Sequence, residues 1–278
     1  MSQYTKDLQR HLTAYKGLRL GVREAGIFLH KGKEVRCGHI LPKELKWLNV
    51  IEPFRSEIRT YLDEHKDIKL HKYFHHLNSS QAFALNLFFP FFEDGASSSS
   101  TLLLALRVPG ELVQWRLEYL PDPDEGTNVD VAWKGPSGAW TYCEVKLSEQ
   151  EFGQASDDPR HLRKLKKIYG PTLAPLCSGE LLEPRTFFEH YQILRNVWLA
   201  AREPTASTVF LLPKRNAALW EPLRRVMDAL QPSLRARVHI AEVEDVFRRL
   251  AHDAKGAPKL RWYAELLSEK YIVPSTAA

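Results

Sequence analysis

The stretch Thr127-Asn128-Val129-Asp130-Val131-Ala132-Trp133, then Gly135-Pro136-Ser137-Gly138, then Thr141-Tyr142-Cys143-Glu144-Val145-Lys146-Leu147, decides the fold. Two β-rich runs flank a Gly/Pro/Ser cluster, which predicts an antiparallel hairpin. With the turn centred on Ser137, Asp130 lies opposite Glu144 and Asn128 opposite Lys146. Side chains alternate along a strand, so Val129, Val131 and Trp133 share an apolar face with Cys143, Val145 and Leu147, and that face is expected to be buried. Asp130, Glu144 and Lys146 then converge on the other face, because opposed β-carbons are only about 4.5–5.5 Å apart.

Like charges directly opposite each other destabilise a sheet unless a cation sits between them. Carboxylate oxygens completed by water are the ligand set that suits Mg²⁺ or Mn²⁺. Such an ion polarises a phosphoryl oxygen and lowers the pKa of bound water, and a neighbouring ammonium steadies developing charge. The residues therefore point to phosphodiester hydrolysis.

Asp130 followed on the next strand by Glu144-Val145-Lys146 resembles the PD-(D/E)xK signature of restriction-endonuclease-like nucleases. Glu144-x-Lys146 matches its second half, and Val129 stands where the signature has Pro. The flanking His76-Leu77-Asn78-Ser79-Ser80-Gln81 and Gln192-Ile193-Leu194-Arg195-Asn196 are similar to a group of bacterial proteins described as restriction endonucleases, and the resemblance covers roughly residues 39–215. It implies a metal-dependent nuclease acting on DNA, of restriction or defence type, with Asp130, Glu144 and Lys146 catalytic. It also implies that the helix after the E-x-K strand lines the cleft, where Gln192, Arg195 and Asn196 would position a metal-bound water or a phosphate. A catalytically silent nucleic-acid-binding relative is the alternative, and a structural partner protein is a third class.

E-x-K alone is cheap in a chain with 26% charged residues: Glu44-Leu45-Lys46 and Glu64-His65-Lys66 also fit. Neither has an upstream Asp on a partner strand. Net charge of +5 and a pI near 9.0 suit a polyanionic partner without requiring one. Three scattered cysteines offer neither a disulfide framework nor a C-x-x-C metal site, so a reducing cytoplasm is expected. No apolar run approaches the ~18 residues of a membrane span, and the expected partners are DNA and a second copy of the chain.

Residues 1–66 read as a helical extension of short pieces broken at Gly17, Lys31-Gly32-Lys33, Pro42 and Pro53, and residues 67–278 as the nuclease domain. A long helix is predicted over Ile68–Phe89, ended by Pro90, with His71 and His75 on its polar face. Gly95–Ser100 reads as a flexible loop, and Leu102–Arg107 and Leu112–Leu120 as strands. In the second of these, Glu118 shares parity with Arg116 and is a candidate third metal ligand beside Asp130 and Glu144. Glu125, in the acidic loop before the hairpin, and Glu149, just after it, are further candidates. Arg160-His161-Leu162-Arg163-Lys164-Leu165-Lys166-Lys167 is the densest basic run. As a helix it would turn Leu162 and Leu165 inward and offer Arg160, Arg163, Lys164 and Lys167 to phosphates. Helix Thr186–Arg202, strand Ser207–Leu212, helix Leu219–Leu230, strand Arg237–Ile240 and helices Val243–Ala251 and Leu260–Tyr271 follow. This order adds a parallel edge to the hairpin, giving an α/β fold with a mixed β-sheet and helices on both faces.

Overall fold

The computed structural model describes residues 1–253 and 258–274. Its elements are α1 (Gln3–Arg19), β1 (Gly26–His30), β2 (Lys33–Cys37), α2 (Arg55–Glu64), α3 (Ser80–Glu93), α4 (Ala96–Ala105), β3 (Gln114–Tyr119), β4 (Val129–Lys134), β5 (Trp140–Val145), α5 (Pro159–Lys164), α6 (Gly170–Leu173), α7 (Pro184–Glu189), α8 (Tyr191–Ala201), β6 (Ser207–Leu212), α9 (Ala217–Asp228), α10 (Pro232–Arg235), β7 (Val238–Glu242), α11 (Val243–Asp253) and α12 (Pro258–Tyr271). They gather into two compact units, Leu106–Glu242 and Met1–Ala105 with the segment from Val243 onward. The division thus falls elsewhere than the 66/67 boundary read from the sequence. The last helices return to the first unit, where α11 packs on α4 and α12 on α3 and α1.

The unit Leu106–Glu242 is built on one five-stranded sheet in the order β3-β4-β5-β6-β7. β3, β4 and β5 are antiparallel neighbours, and β6 and β7 add on in parallel. Val131 faces Cys143 and Trp133 faces Thr141, the register predicted from a turn centred on Ser137. Gly138, at φ +81°, supplies the left-handed residue of that turn. The apolar face is closed at Val131, Trp133, Cys143, Val145 and Leu147, each at most 3% exposed, whereas Val129, expected on that face, is buried in the core of the other face with Ala132, Tyr142 and Phe210. Each such side chain contributes about 1.5–3 kcal/mol.

A parallel β5–β6 pair needs a crossover, and the chain between the two strands supplies it as helices. The last of them, α8, lies on β5 and β6 and buries Ile193, Leu194, Val197 and Trp198 in a core shared with Ala132, Tyr142 and Phe210. This second face holds Glu144, so the side of the hairpin that carries the charges is roofed by a helix. The 186–202 stretch is two helices rather than one, α7 and α8, with His190 between them outside helical geometry at ψ +23°.

Four further expectations are corrected. Residues 1–66 are not all helical, because β1 and β2 pair across Lys31-Gly32, both at positive φ as a two-residue hairpin turn requires. Lys at the first turn position hid that signal. α1 runs through Gly17, within the last turn where the helical cost of Gly is small. Gly95–Ser100 is not a loop nor Leu102–Arg107 a strand, since both fall largely in α4. There the hydroxyls of Ser99 and Thr101 bond back to the carbonyls of Ala96 and Ser97, which lets a serine run sit in a helix.

The predicted 68–89 helix begins only at Ser80, capped by the Ser79 hydroxyl, and passes through Pro90 to Glu93. Residues before it form turns tied to Asn49, whose amide donates to the carbonyls of Phe74 and His76. His71 therefore lies outside any helix, and the His71/His75 spacing carries no helical meaning. Pro90 cannot bond the Asn86 carbonyl four residues back, and the Tyr263 hydroxyl does so instead at 2.8 Å. Tyr263→Phe is therefore expected to destabilise the protein by about 1–3 kcal/mol, the cost of an orphaned buried carbonyl. Adding Pro90→Ala should return part of that loss, and strictly additive denaturant melts of the single and double variants would refute the pairing.

Candidate active site

Three strand and helix segments meet at the carboxyl end of β5. The β4–β5 ladder is last paired at Val131 and Cys143. Beyond it the Asp130 side chain takes over, its Oδ2 accepting from the Val145 N–H at 2.7 Å. Glu144, 3% exposed, points under α8. Its Oε1 accepts from Gln192 Nε2 at 2.7 Å and lies 3.1 Å from Lys146 Nζ. Its Oε2 accepts from Arg195 Nη2 at 3.0 Å and Asn196 Nδ2 at 2.9 Å. Gln192, Arg195 and Asn196 reach one carboxylate because positions i, i+3 and i+4 share a helix face. The Gln192 Oε1 in turn accepts from Lys146 Nζ and from the Gly153 N–H, both at 2.8 Å, so the ammonium is held between Glu144 and Gln192.

Two carboxylates in one place thus have opposite circumstances. Burial works to raise the Glu144 carboxyl, and the charges of Lys146 and Arg195 overcome it, holding it below its ordinary value. Burial and then the Glu144 charge push Asp130 well above the usual carboxylate range; Lys146 opposes this and Glu118 adds to it. Burial disfavours the Lys146 charge, but Glu144, Glu149 and Asp130 keep its pKa above the ordinary lysine value. Asp130 is the acid whose partners, the Lys146 charge and the Val145 N–H, do not offset its burial and the Glu144 charge, and it keeps part of its surface accessible.

Glu118 stands beside Asp130 at a break in the β3–β4 ladder. Leu117 pairs with Val131 and Tyr119 with Val129, while Glu118 itself adopts φ +47°. A left-handed glutamate in a strand is strained and re-aims its side chain. The other two acidic candidates are engaged elsewhere. Glu149 Oε2 accepts from the N–H groups of Leu147 and Ser148, closing the loop after β5. Glu125 is buried, with Oε1 accepting from the Tyr169 and Tyr191 hydroxyls at 2.6 and 2.9 Å.

The basic run forms α5, capped by the Asp158 carboxylate, and continues as a π-turn over Leu165–Tyr169. Arg160, Arg163, Lys166 and Lys167 are exposed, and Leu165 and Tyr169 are buried. Lys164 departs from the expectation: its ammonium turns inward to the Glu125 carbonyl and carboxylate. Burial of a carboxylate without a cation is costly, so Glu125 takes the one lysine of the run that faces the core. Gln192, Arg195 and Asn196 likewise differ from a phosphate-facing set, since each spends a side-chain donor on Glu144. The Glu125–Tyr169–Tyr191 cluster had no sequence signal, because its members lie on three separate elements.

Among the described residues no group of three or more His, Cys, Asp or Glu side chains is arranged to hold a metal ion. A hard ion that keeps most of its waters needs less, commonly one or two carboxylates plus substrate phosphates. Asp130 fits that role, with Glu118 beside it. Glu144 could contribute an oxygen only by loosening one of four donors. Asn196 Oδ1, buried and without a hydrogen-bond partner among the described residues, is a ready acceptor for a water at this place.

The family model described as Restriction Endonuclease associating with ARP matches residues 9–272. No curated protein and no solved structure matches the chain. No helix among the described residues is long and apolar enough to cross a membrane.

Proposed function

The chain belongs to this restriction-endonuclease-associated family and its mixed sheet flanked by helices is consistent with a restriction-endonuclease-like fold; from that premise we propose that it is a Mg²⁺- or Mn²⁺-dependent nuclease hydrolysing DNA phosphodiester bonds. The observation that carries the reading is the Asp130 carboxylate, bonded to the Val145 N–H and keeping part of its surface accessible, set beside the Glu144–Lys146 pair at neighbouring strand ends. Asp130, with Glu118 and an oxygen of Glu144, would hold the ion. When bound, it polarises the phosphoryl oxygen and makes attack by water feasible near neutral pH. Lys146, fixed by Gln192 and Glu144, donates toward the attacking water or the developing charge. Asn196 and Arg195 keep Glu144 in place.

A supercoiled plasmid incubated with the protein and Mg²⁺ should be nicked or linearised, and EDTA should stop the reaction. The silent, nucleic-acid-binding alternative draws support from one feature, that both Glu144 oxygens are already occupied by protein donors. DNA binding without cleavage under either metal would establish it.

The exposed part of the basic helix is proposed as a phosphate contact. Arg163→Glu with Lys167→Glu is expected to weaken binding of any DNA sequence and to lower the slope of log K against log salt by about 1 per lost phosphate contact. Lys164→Gln should instead lower the melting temperature, since it removes the partner of a buried carboxylate. An unchanged salt slope in the double variant would take α5 out of the interface.

A further inference from the structure

Glu144 is met by more positive charge than it carries. Lys146 Nζ lies 3.1 Å from one oxygen and Arg195 Nη2 3.0 Å from the other, with side-chain exposures of 10% and 5%. Arg195 cannot swing clear without dragging charge through the packed underside of α8, where Leu194, Val197 and Trp198 are buried. A second divalent ion sharing Glu144 would have to displace one of these cations and sit close to the other.

We infer that Arg195 is a built-in cation that restricts the site to a single divalent ion on the Asp130 side. This rests on the metal-nuclease reading and adds to it a count and a residue that enforces it. Arg195 acts through Glu144: it occupies the oxygen that a second ion would use, and its charge repels the first. Gln192 and Asn196 are neutral and hold the carboxylate without that repulsion.

The test is a Mn²⁺ titration of the full chain without DNA, with free Mn²⁺ followed by electron paramagnetic resonance. Wild type should bind one ion. Arg195→Gln, which keeps a hydrogen-bond donor and loses the charge, should bind its first ion roughly tenfold more tightly, the scale of one unit charge acting on a divalent ion several ångströms away. Arg195→Lys should match wild type. Two ions in wild type overturn the inference and leave the nuclease reading standing, and this count needs no variant to fold. Wild-type affinity in an Arg195→Gln protein with a native circular-dichroism spectrum also overturns it. No Mn²⁺ bound by wild type removes the metal site itself, and the inference with it.

Discussion

Asp130→Asn is expected to abolish Mg²⁺-dependent plasmid cleavage and, in the metal-free protein, to raise the melting temperature. The two effects have one cause. The carboxylate is the acid in the site that Glu144 and Glu118 both repel, and burial adds to the penalty. Asn keeps an oxygen for the Val145 N–H, at 2.7 Å in the wild type, and removes the charge. Loss of an ion ligand should lower cleavage by at least about a hundredfold, the scale seen when one strong electrostatic contact to a reacting group is removed. The stability gain should be roughly 2–4 °C for each ~1 kcal/mol of relieved repulsion.

The gain depends on pH. Asp130 has a raised carboxyl pKa in the folded chain, so the folded state binds more protons than the unfolded one, and wild-type stability falls as pH rises from the unfolded value of ~3.9 through the folded one. The gap between variant and wild type should therefore be absent at low pH and full at high pH in EDTA. Melts with EDTA and with Mg²⁺ decide the matter, because Mg²⁺ should stabilise wild type and leave the Asn variant unchanged. Equal stabilisation of both by Mg²⁺ would remove Asp130 from the ion site.

Glu144→Ala should act in the opposite direction on stability. It leaves the Lys146 ammonium and the Arg195 guanidinium buried without their shared counter-charge, with Gln192 Nε2 deprived of its acceptor and Asn196 Nδ2 keeping only the Gln192 carbonyl. Removing one partner of a buried ion pair costs about 3–5 kcal/mol, and here two cations share the lost partner. Cleavage should vanish as well. Glu144→Gln preserves the shape and two of the acceptor contacts and should lose less stability with the same loss of activity. A Glu144→Ala protein as stable as wild type in denaturant melts would mean that this carboxylate does not anchor α8 to the sheet.

The sequence by itself determined the hairpin, its register and its buried apolar face. They follow from local physics, period-two alternation over Val131–Trp133 and Cys143–Leu147 and a turn whose Gly138 tolerates φ +81°, and the alternation fails at Val129, which lies in the core of the other face. The strand Ser207–Leu212, a run of buried side chains ended by Pro213, was legible for the same reason. Ladder opposition of Asp130 and Glu144 was read from the turn, but the pairing stops at Val131 and Cys143 and the Asp130 carboxylate accepts from the Val145 N–H instead.

Tertiary structure decided which of those charges are compensated. Nothing in the order of residues says that Gln192, Arg195 and Asn196 turn onto Glu144, since that depends on where the parallel crossover lays α8 across β5 and β6. The inward turn of Lys164 depends in the same way on Glu125, 39 positions away. Helicity was misread wherever a distant group replaced a missing local bond, as the Tyr263 hydroxyl does for the Asn86 carbonyl below Pro90. Pairing over a few residues is written in alternation and turn chemistry. The satisfaction of a buried charge or carbonyl is settled by whichever donor the fold brings within 3 Å, and no local pattern encodes that donor.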